Sequence, residues 1–217
     1  FHPRKVVTTG DGGMLTTRNG DYDRQFRLWR QHGMSITDAV RHNSRQVIFE
    51  DYDDVGFNYR MTDLQAAVGR EQLRRLPALI AARRRIAEHY QALLSDLHGV
   101  VAPTSPLFAR SNWQSFCAKL PSTVDQRSVM QAMLDEGIST RRGVMNIHLE
   151  KAYREPGSHR LASGLSRSVS AQERSIILPL YAQMTENEVL RTVSAFRSAL
   201  LASRPEPSRQ RQNELLD

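Results

Sequence analysis

Phe1-His2-Pro3-Arg4-Lys5-Val6-Val7-Thr8-Thr9-Gly10-Asp11-Gly12-Gly13-Met14 opens the chain, and its reading governs everything downstream. One lysine stands before a short β-prone run, and a Gly-rich acidic turn follows. Lysine is scarce in this protein. Of 30 basic residues only Lys5, Lys119 and Lys151 are lysines, and the rest are arginines. An arginine stays charged at any ordinary pH, whereas a lysine amine can lose its proton and attack a carbonyl. Lys5 is therefore open to two readings: a nucleophile, or an ordinary surface cation. Val6–Thr9 and Met14–Thr17 flank Asp11-Gly12, a pattern that predicts a β-hairpin over residues 5–17.

Two further stretches follow in order. One is Gly56-Phe57-Asn58-Tyr59-Arg60-Met61-Thr62-Asp63-Leu64-Gln65-Ala66-Ala67. The other is Arg141-Arg142-Gly143, with Ile147-His148-Leu149-Glu150 and Leu178-Pro179-Leu180-Tyr181. Together with the opening segment they resemble the DegT/StrS family of sugar aminotransferases, which have the aspartate-aminotransferase-like fold. Asp11 stands where the family usually has Glu, and Lys151 where it often has Pro.

The resemblance implies an α/β fold, a partial PLP-transferase of fold type I: the end of the large domain, then the small C-terminal α/β domain. It implies pyridoxal 5'-phosphate as cofactor. Lys5 would be the covalent tether for the cofactor aldehyde and, once displaced, the group that moves the proton. Asn58 would reach the cofactor phosphate of a neighbouring subunit, which implies a homodimer with shared active sites. His148 and Tyr153 resemble residues beside the substrate sugar, and Arg141 and Arg142 could attract its phosphates. The implied substrate is a keto-sugar linked to a nucleotide, with Glu or Gln as amino donor. Members of the family carry a cofactor-binding region before this lysine. The chain is accordingly expected to be the C-terminal part of a longer enzyme, inactive alone. A non-transaminating relative, dehydratase or regulatory, is the nearest alternative.

Composition narrows the classes further. The formal charge of +7 and the pI of about 10.1 invite a nucleic-acid reading, and a basic nucleic-acid-binding module is the remaining alternative. The arginines, however, are scattered over helix faces and the tail, and no nucleic-acid motif is visible. Positive charge suits a phosphorylated small molecule equally well. No apolar run reaches 18 residues, so no membrane span is expected. No signal-peptide pattern is present. The single Cys117 excludes an intramolecular disulfide, fits a reducing cytoplasm, and reads as a structural thiol.

The expected domains are 1–97 (end of the large domain with a linking helix), 98–202 (small α/β domain) and 203–217 (disordered tail). Asn19 is expected to cap a helix to about residue 31, with Tyr22, Phe26 and Trp29 on one face. Residues 34–55 read as a long loop. Thr62-Asp63-Leu64-Gln65 fits a capping box, and Pro77 is read as the first residue of a second helix. In the small domain, strands are expected at 113–120, 138–141 and 175–178. Thr123 is expected to cap a helix burying Val129, Met130, Met133 and Leu134. Thr185-Glu186-Asn187-Glu188 is a second capping box, before a helix burying Val189, Val193, Phe196 and Leu200.

Overall fold

The computed structural model describes residues 1–153, 155 and 164–203. The chain divides into two compact units, Phe1–Leu76 and a second beginning at Pro77. Residues 204–217 of the expected tail lie outside the described residues.

In the first unit, α1 spans Gly20–Trp29 with Asn19 as N-cap. The Asn19 amide oxygen accepts from the backbone N–H groups of Asp21 (2.8 Å) and Tyr22 (3.3 Å), satisfying two donors that the first turn leaves free. Tyr22, Phe26 and Trp29 share one face as the spacing predicts, with Tyr22 stacked on Phe26 and Phe26 tilted against Trp29. The stretch read as a loop holds a short helix, α2 (Asp38–Asn43), capped by Thr37. Its six residues carry too little apolar period to stand out, and the hydroxyl cap was the only available signal.

The predicted hairpin over 5–17 does not form. This stretch contains no strand. The opening segment closes on itself instead, with the Phe1 carbonyl accepting from Thr9 N (3.1 Å) and Thr8 Oγ1 (2.8 Å). An isolated two-stranded hairpin is marginal in water, and no strand of the described residues lies alongside to pair with it.

α3 runs unbroken over Asp63–Leu94, so the break expected at Pro77 is corrected. Pro77 sits inside the helix, which forgoes the bond that residue 77 would otherwise give to the Leu73 carbonyl. Thr62 and Gln65 form the expected capping box, with Gln65 N to Thr62 Oγ1 at 3.2 Å and Thr62 N to Gln65 Oε1 at 3.0 Å.

The second unit is built on a three-stranded antiparallel sheet of order β1-β3-β2: β1 Phe116–Lys119, β2 Arg141–Arg142 and β3 Ser175–Leu178. The register pairs Phe116 with Leu178 and Ala118 with Ile176, so these four share the core face. β2 is shorter and later than the strand expected at 138–141, since only Arg141 and Arg142 pair, with Ile177 and Ile176. α4 (Gln126–Asp135) and α6 (Glu186–Ala202) cover the core face together with the second half of α3, which buries Ile86, Tyr90 and Leu94. That packing is why the second unit starts at Pro77 and not near residue 98. α5 (Ser166–Glu173) leads directly into β3.

Two local expectations need correction. The N-cap of α4 is Asp125, not Thr123, with its carboxylate accepting from Ser128 N at 2.8 Å. Leu134 faces solvent, while Val129 and Met133 are buried. The helix closes on Gly137 in a Schellman motif, with Ile138 N to Met133 O at 2.9 Å and Gly137 N to Leu134 O at 2.8 Å. Pointing Leu134 outward is the price of placing Met133 at that turn. The α6 box forms as read, with the Glu188 carboxylate accepting from Thr185 N (2.7 Å), and the same carboxylate also accepts from the Tyr181 hydroxyl outside the box (2.8 Å). Both contacts hold the Glu188 carboxyl below its ordinary range, the backbone bond foremost.

Candidate active site

Lys5 lies in the closed opening segment of the first unit, with its backbone N–H bonded to His2 O at 3.0 Å. Its side chain is exposed and has no partner among the described residues. Downstream of it the segment is tied by Thr9, whose hydroxyl donates to the Asp11 carbonyl and which packs closely on Gly69 of α3. Thr9 and Gly33 are the only buried residues among the described residues of this unit. The segment is thus anchored at Thr9 and presents Lys5 to solvent.

Asn58 is held by a different device. The chain leaving α1 turns sharply at His32 and Gly33, both at positive φ (61° and 72°), and crosses the chain approaching Asn58. A Cβ on Gly33 would fall 1.9 Å from Asp54 O, and one on Gly56 would fall 2.0 Å from Gly33 N. Neither position has room for a side chain. The crossing is sealed by Phe57 N to Trp29 O (2.6 Å), His32 N to Phe57 O (3.0 Å) and Tyr59 N to Arg30 O (3.0 Å). Gln31 and Asn58 face each other as an antiparallel bridge. Phe57 and Tyr59 stack at 5.1 Å on one side, and pleating sends Asn58 to the other.

Asp54 locks the same crossing. Its carboxylate accepts from Trp29 Nε1 (2.6 Å), Gln25 Nε2 (3.1 Å) and Val55 N (2.7 Å). The Trp29 bond above all, then that of Val55, holds its carboxyl below the ordinary range. The sequence marked Asp54 only as one of a run of acids. Its partner in α1 lies 25 residues away, and no local spacing reveals it.

The remaining candidates lie in the second unit. Arg141 and Arg142 form β2 and are exposed. His148 sits in a 3₁₀ turn over Ile147–Leu149, half-buried, and Tyr153 ends a second turn over Lys151–Tyr153, exposed. Arg142 reaches the Glu150 carboxylate at 3.4 Å, joining β2 to the stretch between the turns. Gly143 is buried against α5: a Cβ there would fall 2.7 Å from the Ala171 carbonyl, so only glycine lets β2 approach this helix. The structure therefore brings Arg141, His148 and Tyr153 into one short segment, and Lys5 and Asn58 into the other unit.

Sequence reasoning missed the polar supports of that segment. The side chain of Gln172 is buried and its Oε1 accepts from Asn146 N at 2.5 Å. Gln126 donates to Gln172 O (2.8 Å) and Ser175 O (2.6 Å). Glutamines on helices look like solvated residues in a sequence, and only the backbone carbonyls they meet distinguish them. Cys117 is half-buried and burial pushes its thiol up, which agrees with a structural role. No metal-binding group of three or more side chains exists among the described residues, and no described helix is long and apolar enough to cross a membrane.

Comparison with known proteins agrees with this organisation. The model of the DegT/DnrJ/EryC1/StrS aminotransferase family matches residues 1–197, and the chain belongs to that family. GDP-perosamine synthase of Caulobacter vibrioides is 31% identical over 206 residues, which is 93% of this chain and 51% of that protein. Among solved structures, the aminotransferase TlmJ of Streptoalloteichus hindustanus superposes with a TM-score of 0.76 at 26% identity, over 91% of this chain and 50% of its own. The PLP form of the sugar aminotransferase Spr1654 of Streptococcus pneumoniae shares the fold, with a TM-score of 0.77 at 19% identity, over 94% of this chain and 51% of its own. The chain spans about half the length of the relatives it matches.

Proposed function

We propose that this chain is part of a pyridoxal-phosphate-dependent aminotransferase that converts the keto group of a nucleotide-linked sugar to an amine, with Glu or Gln as amino donor. The observation that carries the reading is the collinear match over residues 1–197, with a solvent-facing lysine at position 5. The residues present fit the cofactor. Among the described residues the Lys5 amine has no partner, nor has the exposed Asn58 amide. Across from Asn58, the buried Nε2 of Gln31 has no hydrogen-bond partner among the described residues, so the crossing retains an unused donor.

The bound cofactor supplies an electron sink. Lys5 holds it, and its amine takes and returns the proton at the substrate carbon. Proton transfer by a positioned group contributes about 10²- to 10⁴-fold. Asn58 donates an amide hydrogen to a phosphate oxygen without adding charge. Arg141 attracts the substrate's phosphates, and His148 and Tyr153 meet the sugar. The large apolar groups exposed in the same unit as Asn58, among them Val47, Phe49, Val55 and Phe57, suit a second subunit across which sites are shared. Reaction in the cytoplasm accords with the single unpaired thiol. The test is an amine-transfer assay on the native protein with Glu or Gln and a nucleotide-linked keto-sugar. Activity abolished by Lys5→Ala is expected. A Lys5→Ala protein that transfers amine at the original rate contradicts the proposal.

A further inference from the structure

A cavity of about 530 Å³ opens in the second unit between β1 and α5, lined by Lys119, Ser166, Arg167, Ser170 and Ala171. The four α5 residues stand at i, i+1, i+4 and i+5, so helical periodicity gathers them on one face. Lys119 closes β1 opposite them, one of only three lysines in the chain. Neither Lys119 nor Arg167 has a carboxylate or carbonyl partner among the described residues. Among the described residues the two cations therefore face one hollow uncompensated, with two serine hydroxyls beside them as donors.

The walls of this hollow are fixed. Leu120 N donates to Arg174 O (2.7 Å) and Arg174 Nη2 to Leu120 O (3.3 Å), which pins the end of β1 to the end of α5. On its far side α5 is held by buried Gln172 and by Gln126. The two cations are thus presented from elements that are tied together before any ligand arrives, which lowers the ordering cost of binding. The volume falls within the roughly 300–1,000 Å³ of small-molecule sites, and its polar groups are two cations and two hydroxyls, which select for an anion.

We propose that this cavity binds a small phosphomonoester. Such a group carries a charge of about −1.5 to −2 at pH 7, with three acceptor oxygens, matching two cations and two hydroxyls. A diester, with a single negative charge, would leave one cation uncompensated. No part of the proposed aminotransferase chemistry uses Lys119 or Arg167.

The test is isothermal titration of the full chain at fixed ionic strength with three probes: glucose 6-phosphate, inorganic phosphate and a nucleoside-diphosphate sugar. Saturable binding of glucose 6-phosphate is expected, weakened at least tenfold by Lys119→Ala combined with Arg167→Ala. The exposed control Arg85→Ala should leave it unchanged. Lys119, Arg167 and Arg85 are all exposed, and circular dichroism of each variant checks that it folds. Equal affinity for inorganic phosphate would overturn the organic-ester assignment, and preference for the nucleoside-diphosphate sugar would overturn the monoester assignment. Non-saturable binding, or equal loss in Arg85→Ala, would show general attraction to a basic protein and overturn the site. None of these outcomes depends on transfer activity, so failure here and failure of the aminotransferase reading are separable.

Discussion

The two halves of the chain keep their side chains in opposite ways. Among the described residues, all 20 buried hydrophobic residues lie at or beyond Ile86, in one cluster around Tyr90, Phe116 and Phe196. In Phe1–Leu76 only Thr9 and Gly33 are buried among the described residues, and the large apolar groups Phe49, Val55 and Tyr59 stand in solvent. The second unit is organised by burial, the first by hydrogen bonds and backbone crossings. The residues assigned to the cofactor, Lys5 and Asn58, belong to the half without a core. Groups that must meet a ligand have to stay accessible, and surface that is not yet covered is where a ligand or partner can be accommodated.

This contrast can be broken by mutation, and the largest effect should come from the core. Phe196→Ala removes a fully buried ring and is expected to destabilise the second unit by about 3–5 kcal/mol. Phe57→Ala, half-exposed in the first unit, should cost far less. Denaturant unfolding of both variants checks the pair, and equal losses would refute the division. Next in size is Gly33→Ala, which forces a methyl onto the Asp54 carbonyl at positive φ. Strain of this kind is worth about 1–3 kcal/mol. Hydrogen exchange should show faster opening of His32, Phe57 and Tyr59 amides, with the second-unit strands unaffected. Thr185→Ala removes one half of the α6 capping box and should lower the stability of the second unit by about 1 kcal/mol, read as a shifted denaturation midpoint.

The smallest effect concerns acid. The folded carboxyl of Asp54 titrates below its ordinary value of 3.8, so its contribution is complete above that value and fades as the pH falls through the folded pKa. Below about pH 4 the crossing in the first unit should loosen while the second unit's core persists. Trp29→Phe removes the leading cause and should raise the Asp54 midpoint, followed by carbon NMR of the carboxyl. An unmoved midpoint would show that the indole bond is unimportant.

Much of the second unit could be read from its sequence because its signals are local. Thr185 and Glu188 are three residues apart, Ser175–Leu178 is a compact apolar run, and Val189, Val193, Phe196 and Leu200 recur at helical spacing. The failures came where distant partners decide. Val6–Thr9 has strand propensity, yet without a neighbouring strand it folds back onto Phe1. Pro77 looks like a helix start, yet the helix continues because Ile86, Tyr90 and Leu94 are buried beyond it and Thr62–Gln65 caps it before. Asn58 could be placed by motif, but its support by Gly33, Gly56, Trp29 and Asp54 joins residues up to 29 apart and left no periodic trace. The arginine pair of β2 was legible as a strand only approximately, since its pairing partner β3 fixes where it begins.

The proposed chemistry depends on the amine at position 5. Borohydride reduction of the native protein loaded with pyridoxal 5'-phosphate, followed by proteolysis and mass spectrometry, should find the pyridoxyl label on Lys5. Label on Lys119 or Lys151 instead, or on no lysine at all, would contradict it.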